Sequence, residues 1–178
     1  DAAPCNLHVA SVPFQNGARP KSYRRRLPAP PLGDVLLTGN ELAVSLANGV
    51  LHRLALDRDD DEPSLPGPDW RALGAEVNSP GRLAALDKNL FVLGDGSAGL
   101  SILHWADAKT WRGGAQAKLP HRIISAPAIL PGKSPRLAVA DASDTVTLFE
   151  AEALHPLRSW SLPGKISAGP FVRQGKLG

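Results

Sequence analysis

The chain has 178 residues, 43% of them apolar and 21% charged, and its 20 basic and 17 acidic groups are interspersed to give a net charge of +3. That balance excludes a disordered polymer and the broad cationic face of a nucleic-acid binder, and no run of 18 apolar residues is present to cross a membrane. Seventeen Gly and seventeen Pro interrupt too many positions for a helical bundle, while the single Cys, Cys5, can form neither an intrachain disulfide nor a thiolate metal centre.

In chain order, the first predicted strand is NLHVASV from Asn6, followed by a basic segment, Arg19, Lys21 and Arg24-Arg25-Arg26, that ends at Leu27-Pro28. Three consecutive Arg on a strand point to both faces, so the segment predicts a solvated edge that discourages strand pairing. Next come the run LAVSL from Leu42, the turn Ala47-Asn48-Gly49 and the strand NGVLHRLAL. The acidic run Asp57-Arg58-Asp59-Asp60-Asp61-Glu62 lacks the ligand alternation and internal Gly of a calcium loop, which makes it a solvated loop. After Trp70-Arg71-Ala72-Leu73 and Ser79-Pro80, the run LFVLG from Leu90 enters GDGSAG, residues 94 to 99. GDGSAG has no Lys-Ser/Thr ending and no following helix, and Asp95 stands where a nucleophile elbow needs Gly; a hairpin is predicted rather than a phosphate cradle. The strand AGLSILHW, Trp111, Leu119-Pro120 and Ser125-Ala126-Pro127 follow. Then come LAVAD from Leu137, the turn Asp141-Ala142-Ser143-Asp144, the strand DTVTLFEA, Ser159-Trp160 and Leu162-Pro163.

These segments recur with a period. Leu27, Leu73, Leu119 and Leu162, each before Pro or Gly, lie 46, 46 and 43 residues apart, and the runs opening at Leu42, Leu90 and Leu137 lie 48 and 47 apart. Each unit then holds four short strands, the last carrying a Trp, with Trp111 fitting less well because it stands further from its Leu119. One four-stranded sheet cannot hide both faces by itself, whereas sheets stacked around an axis cover one another. The expectation is therefore all-β: a β-propeller of four-stranded antiparallel blades, about four blades' worth and so a partial propeller. The divisions are a half blade at 1–27, blades at 28–73, 74–119 and 120–162, and the start of another at 163–178. The register places Val44, Val92 and Val139 on the same side of successive sheets. About four blades fall short of the six to eight common in propellers, and the chain has no Met even at position 1, so an excerpt of a longer chain is expected.

The segment SAPAILPGKSPRLAVADASDTVTLFEAEALHPLRSWSL, from Ser125 to Leu162, resembles one blade of the quinoprotein-like (PQQ-type repeat) propeller family. Phe149-Glu150-Ala151 and Leu157-Arg158-Ser159-Trp160 stand at that blade's acidic-Ala ending and closing Trp. The family's Thr-Gly turn before that Trp is replaced by Ala153-Leu154-His155-Pro156, and Lys109-Thr110-Trp111 matches it only in part. WD-repeat blades are similar in form, but no Gly-His or Trp-Asp dipeptide occurs. The resemblance implies the fold and carries over no catalytic or cofactor residue.

His8, His52, His104, His121 and His155 show no ligand spacing, and His8 and His52 each follow a Leu at matching places in their units, which marks a repeat position. No catalytic, cofactor-binding or metal-binding residue is assigned, and no cofactor. The function expected is a non-catalytic repeat scaffold that presents loops to a protein or ligand, its partner being another protein or the remainder of a longer chain. The alternative is the propeller portion of a quinoprotein-type oxidoreductase, or of another enzyme, with its active site outside this segment.

Overall fold

The computed structural model describes residues 5–11, 21–56, 69–71, 79–106, 110–173 and 176–177. Among these residues every regular element is a strand. Sheet 1 pairs β1 (Cys5–Ser11) with β2 (Lys21–Leu27). Sheet 2 is β3 (Pro31–Thr38), β4 (Glu41–Leu46), β5 (Val50–Ala55) and β6 (Asp69–Arg71), and sheet 3 is β7 (Arg82–Asp87), β8 (Leu90–Gly94), β9 (Gly99–Ala106) and β10 (Thr110–Lys118). Sheet 4 is β11 (Ala128–Leu130), β12 (Arg136–Ala140), β13 (Thr145–Glu150) and β14 (Pro156–Ser161), and sheet 5 pairs β15 (Val172–Arg173) with β16 (Lys176–Leu177). Strands follow one another in sequence order and all pair antiparallel within their sheets. Connections as short as those of β3–β4, β4–β5, β7–β8 and β8–β9 allow only this arrangement, since parallel neighbours need long crossovers.

The burial pattern explains the sequence pattern. The two middle strands of each complete sheet are covered on both faces, so they read as continuous apolar runs such as LFVLG, with burial spread along the strand. The outermost strand β10 instead alternates, because its outer face meets solvent. Four apolar clusters lie in the four joints between successive sheets. Leu27, Val44 and Leu54 join sheets 1 and 2; Leu51, Phe91 and Leu103 join sheets 2 and 3; Val92, Leu100, Leu137 and Phe149 join sheets 3 and 4; Ala138, Val146 and Leu148 meet Ile166, Val172 and Leu177 of the last joint. Each fully buried side chain of this size stabilises by about 1.5–3 kcal/mol, so the joints, rather than single sheets, hold the chain together.

First strands of neighbouring sheets converge. Gly33 of β3 bridges Gly81 beside β7, and Asp34 N–H donates to the Gly81 carbonyl at 2.9 Å. Gly33 has φ 106°, and a Cβ there would collide with the Gly81 backbone, so both the angle and the approach require Gly. The Asp34 carboxylate extends the junction by accepting the Leu83 N–H at 3.0 Å.

One expected register does not hold. The last pairs before the hairpin turns are Ser45 with Leu51, Gly94 with Leu100 and Ala140 with Val146. Counted back from them, Val44, Leu93 and Val139 are equivalent, and Val92 is one place off. Val44 and Val139 face the preceding sheet, and Val92 faces the following one. Side chains alternate with period two, so a slip of one residue reverses the face. The apolar content of LFVLG hid the slip, because every residue in it is acceptable on either side.

Sheets 1 and 5 have two described strands where sheets 2 to 4 have four. Val35 and Leu37, on the face of β3 turned toward sheet 1, are accordingly 53% and 61% exposed. At the other end, a cavity of about 380 Å³ opens between Val146, Trp160, Leu162 and Phe171.

Candidate functional site

GDGSAG forms the β8–β9 hairpin. The Asp95 Oδ1 accepts from Ser97 N–H at 2.8 Å, from Ser97 Oγ at 2.8 Å and from Gly99 N–H at 3.0 Å. Asp141 does the same in the β12–β13 hairpin, accepting from Ser143 N–H at 2.9 Å and from its Oγ at 2.6 Å. An Asp carboxylate that satisfies the N–H groups of its own turn is a means of fixing a hairpin, and its recurrence in two sheets assigns it to the repeat. Arg24 and Arg26 project to one exposed side of β2, whereas Arg25 turns to the other and donates to the Ala55 carbonyl of sheet 2 at 3.0 Å. The acidic run 57–62, Arg19 and Leu73 lie outside the described residues. His8 and His52 sit on β1 and β5, while His104, His121 and His155 are exposed at separate places. Among the described residues no group of three His, Cys, Asp or Glu converges on one point.

Two features were not found from the sequence. The first is a buried cation between sheets 2 and 3. Arg53 is 3% exposed, forms an ion pair with Glu41, and stacks its guanidinium 4.3 Å from the Trp105 ring centroid, with Phe91 at 5.5 Å and Trp111 at 5.7 Å. Burial pushes its pKa below the ordinary Arg value, against the raising influence of Glu41. The three rings pack edge to face around it, Trp105 and Trp111 at 4.9 Å and Phe91 and Trp111 at 5.3 Å.

The second feature is a groove of about 450 Å³ between sheets 3 and 4. Its apolar walls are Leu119 and Phe149, 3% and 4% exposed, and Ala117 forms part of its lining. Thr147 and Ser159 line it as a hydroxyl pair 3.0 Å apart, and the exposed Lys118 and His121 stand at its rim. Its origin lies in the register. The closing-strand partners of Leu51, Leu100 and Val146 are Trp70, Ala117 and Trp160. Ala117 therefore occupies the place of the repeat's Trp. Trp111 lies on the closing strand as well but pairs with Trp105, five ladder positions from Leu100, and faces sheet 2, which together with the one extra residue between Gly113 and Gln116 accounts for its long distance from Leu119. The poor spacing of Trp111 was the signal in the sequence that this sheet had lost its closing Trp.

No protein-family model matches the chain, and no curated protein sequence does. Among solved structures, BamB from Moraxella catarrhalis is similar over 85% of this chain and 46% of that chain, with a TM-score of 0.59 at 12% identity. The chain folds as a partial β-propeller. It spans a little under half the length of that structure, and at this identity the likeness concerns the fold. Successive four-stranded sheets, first strands converging and outermost strands at the rim, are the blades of that architecture.

Proposed function

We propose that the chain is a non-catalytic propeller scaffold that binds a protein or ligand on its surface, with the divisions 1–27, 28–73, 74–119, 120–162 and 163–178 as its repeat units. The observation that carries this reading is the groove between sheets 3 and 4: it has buried walls set by two complete sheets and is open to solvent. A rigid scaffold that leaves such a concavity open can recognise a partner without reorganising. The similar solved structure is more than twice as long as the segment it shares with this chain, which fits a propeller continued by further sheets of the same polypeptide.

The test is affinity capture with the intact protein, followed by identification of what is retained and a check for turnover. Retention of a specific partner without turnover is expected. No partner together with measurable turnover would favour the other reading, a quinoprotein-type or other enzyme with its chemistry outside these residues, and quinone absorbance in the intact protein would support that reading directly.

A further inference from the structure

We propose that the groove between sheets 3 and 4 receives a tryptophan side chain presented by a partner polypeptide. This rests on the scaffold reading above and names the chemistry of its site. The chain itself states what belongs there. In sheet 2 the closing-strand residue opposite Leu51 is Trp70, which packs into the joint with sheet 3. In sheet 4 the residue opposite Val146 is Trp160, packed against the next joint. In sheet 3 the residue opposite Leu100 is Ala117, and the joint beside it holds an open volume of about 450 Å³. Truncating an aromatic side chain in a packed interior removes both its burial and its contacts, and the walls collapse only in part. The walls here, Leu119 and Phe149, keep the burial of core residues. An indole entering from outside restores the packing that sheet 2 obtains from Trp70; in sheet 4 a cavity of about 380 Å³ remains beside Trp160, where the next sheet has two described strands.

The surroundings favour an indole carried on a polypeptide. Groove hydroxyls of Thr147 and Ser159 offer acceptors to an indole N–H, which an apolar side chain of equal size cannot use. On either side lie β10 and β14, each the outermost strand of its sheet. Such strands carry backbone N–H and C=O groups on their outer edge that an extended chain can pair with while its side chain enters the groove.

The test is a titration of the intact chain with N-acetyl-tryptophanamide, followed by amide chemical-shift mapping, with N-acetyl-leucinamide as the control. Saturable shifts are expected at Ala117, Leu119, Thr147 and Phe149, with affinity for the tryptophan probe about tenfold above that for the leucine probe. The variant Ala117→Trp is expected to abolish those shifts and to raise the melting temperature, because its own indole fills the space. Absence of saturable shifts, equal affinity for the two probes, or shifts centred elsewhere would each overturn the proposal, and none depends on the variant folding. A melting temperature lowered by Ala117→Trp would also overturn it, since the groove would then reject an indole. If the probe fails to bind while a partner is still captured, this inference falls and the scaffold reading stands; loss of both the partner and the probe in Ala117→Trp joins the two.

Discussion

The joint between sheets 2 and 3 and the joint between sheets 3 and 4 are built from the same repeat positions and solve burial in opposite ways. In the first, the half-buried Trp70 packs against the cluster from the closing strand and Arg53 occupies a position that faces the next sheet, held under three aromatic rings. In the second, the equivalents are Ala117 and Ile102: no charged side chain takes the place of Arg53, and the rim opens into the groove, where the buried Thr147 faces Leu119 and Phe149. A repeat fixes where backbone and side chains go, but what fills each joint is decided by one or two substitutions at equivalent places. Those substitutions are where the two joints can be broken or exchanged.

The largest effect is expected in the apolar joint. Val139 is 0% exposed and sits in the cluster with Val92, Leu137 and Phe149. Val139→Asp places a carboxylate there with no counter-charge, the hydroxyl of Thr147 across the ladder being its polar neighbour, and about 4 kcal/mol of destabilisation is expected in chemical denaturation. A midpoint unchanged from the parent would show that the joint is wet. A smaller effect, about 2–3 kcal/mol, is expected for Trp70→Ala, because Trp70 is half-buried and only part of its surface is lost from the joint. That variant also gives sheet 2 an Ala at the closing-strand place that Ala117 occupies in sheet 3. It should gain saturable shifts with N-acetyl-tryptophanamide around Leu51 and Leu103, and a variant that stays silent would show that a missing Trp does not suffice to make a slot.

The period, the hairpins and the four-stranded units could be read from the sequence because they depend on turn chemistry and on apolar runs, both local. Asn48-Gly49, Asp95 and Asp141 announce their turns directly. The facing of individual residues could not be read in LFVLG, because a strand buried on both sides carries no alternation to fix its phase; the phase comes from the pairing of Gly94 with Leu100. The groove was hidden for a related reason. Ala117 is unremarked in any sequence, and it matters only once its cross-strand partner Leu100 shows which Trp it replaces. The Arg53 box required three rings from a different sheet, 38 and more residues away in sequence, to be brought over one guanidinium.

The smallest effects distinguish what the buried cation does. Glu41→Gln leaves Arg53 under its rings without a counter-charge, and because a buried charge without its partner is costly, about 2 kcal/mol of destabilisation is expected, less than for a fully enclosed pair since Glu41 is 25% exposed. Arg53→Leu removes the charge instead and leaves Glu41 where water reaches it. The equivalent positions of sheets 3 and 4 already hold Ile102 and Leu148, so the backbone there accepts a branched aliphatic side chain. Lost stacking on Trp105, about 1 kcal/mol, is offset by the desolvation no longer incurred, and the net change is expected to lie within about 1 kcal/mol of zero. If Arg53→Leu proves as damaging as Glu41→Gln, the guanidinium stabilises the joint by more than its packing. If it is neutral, the cation is dispensable to stability, and the joint between sheets 2 and 3 then rests on its apolar contacts and on the hydrogen bonds of Asp34 at the first strands.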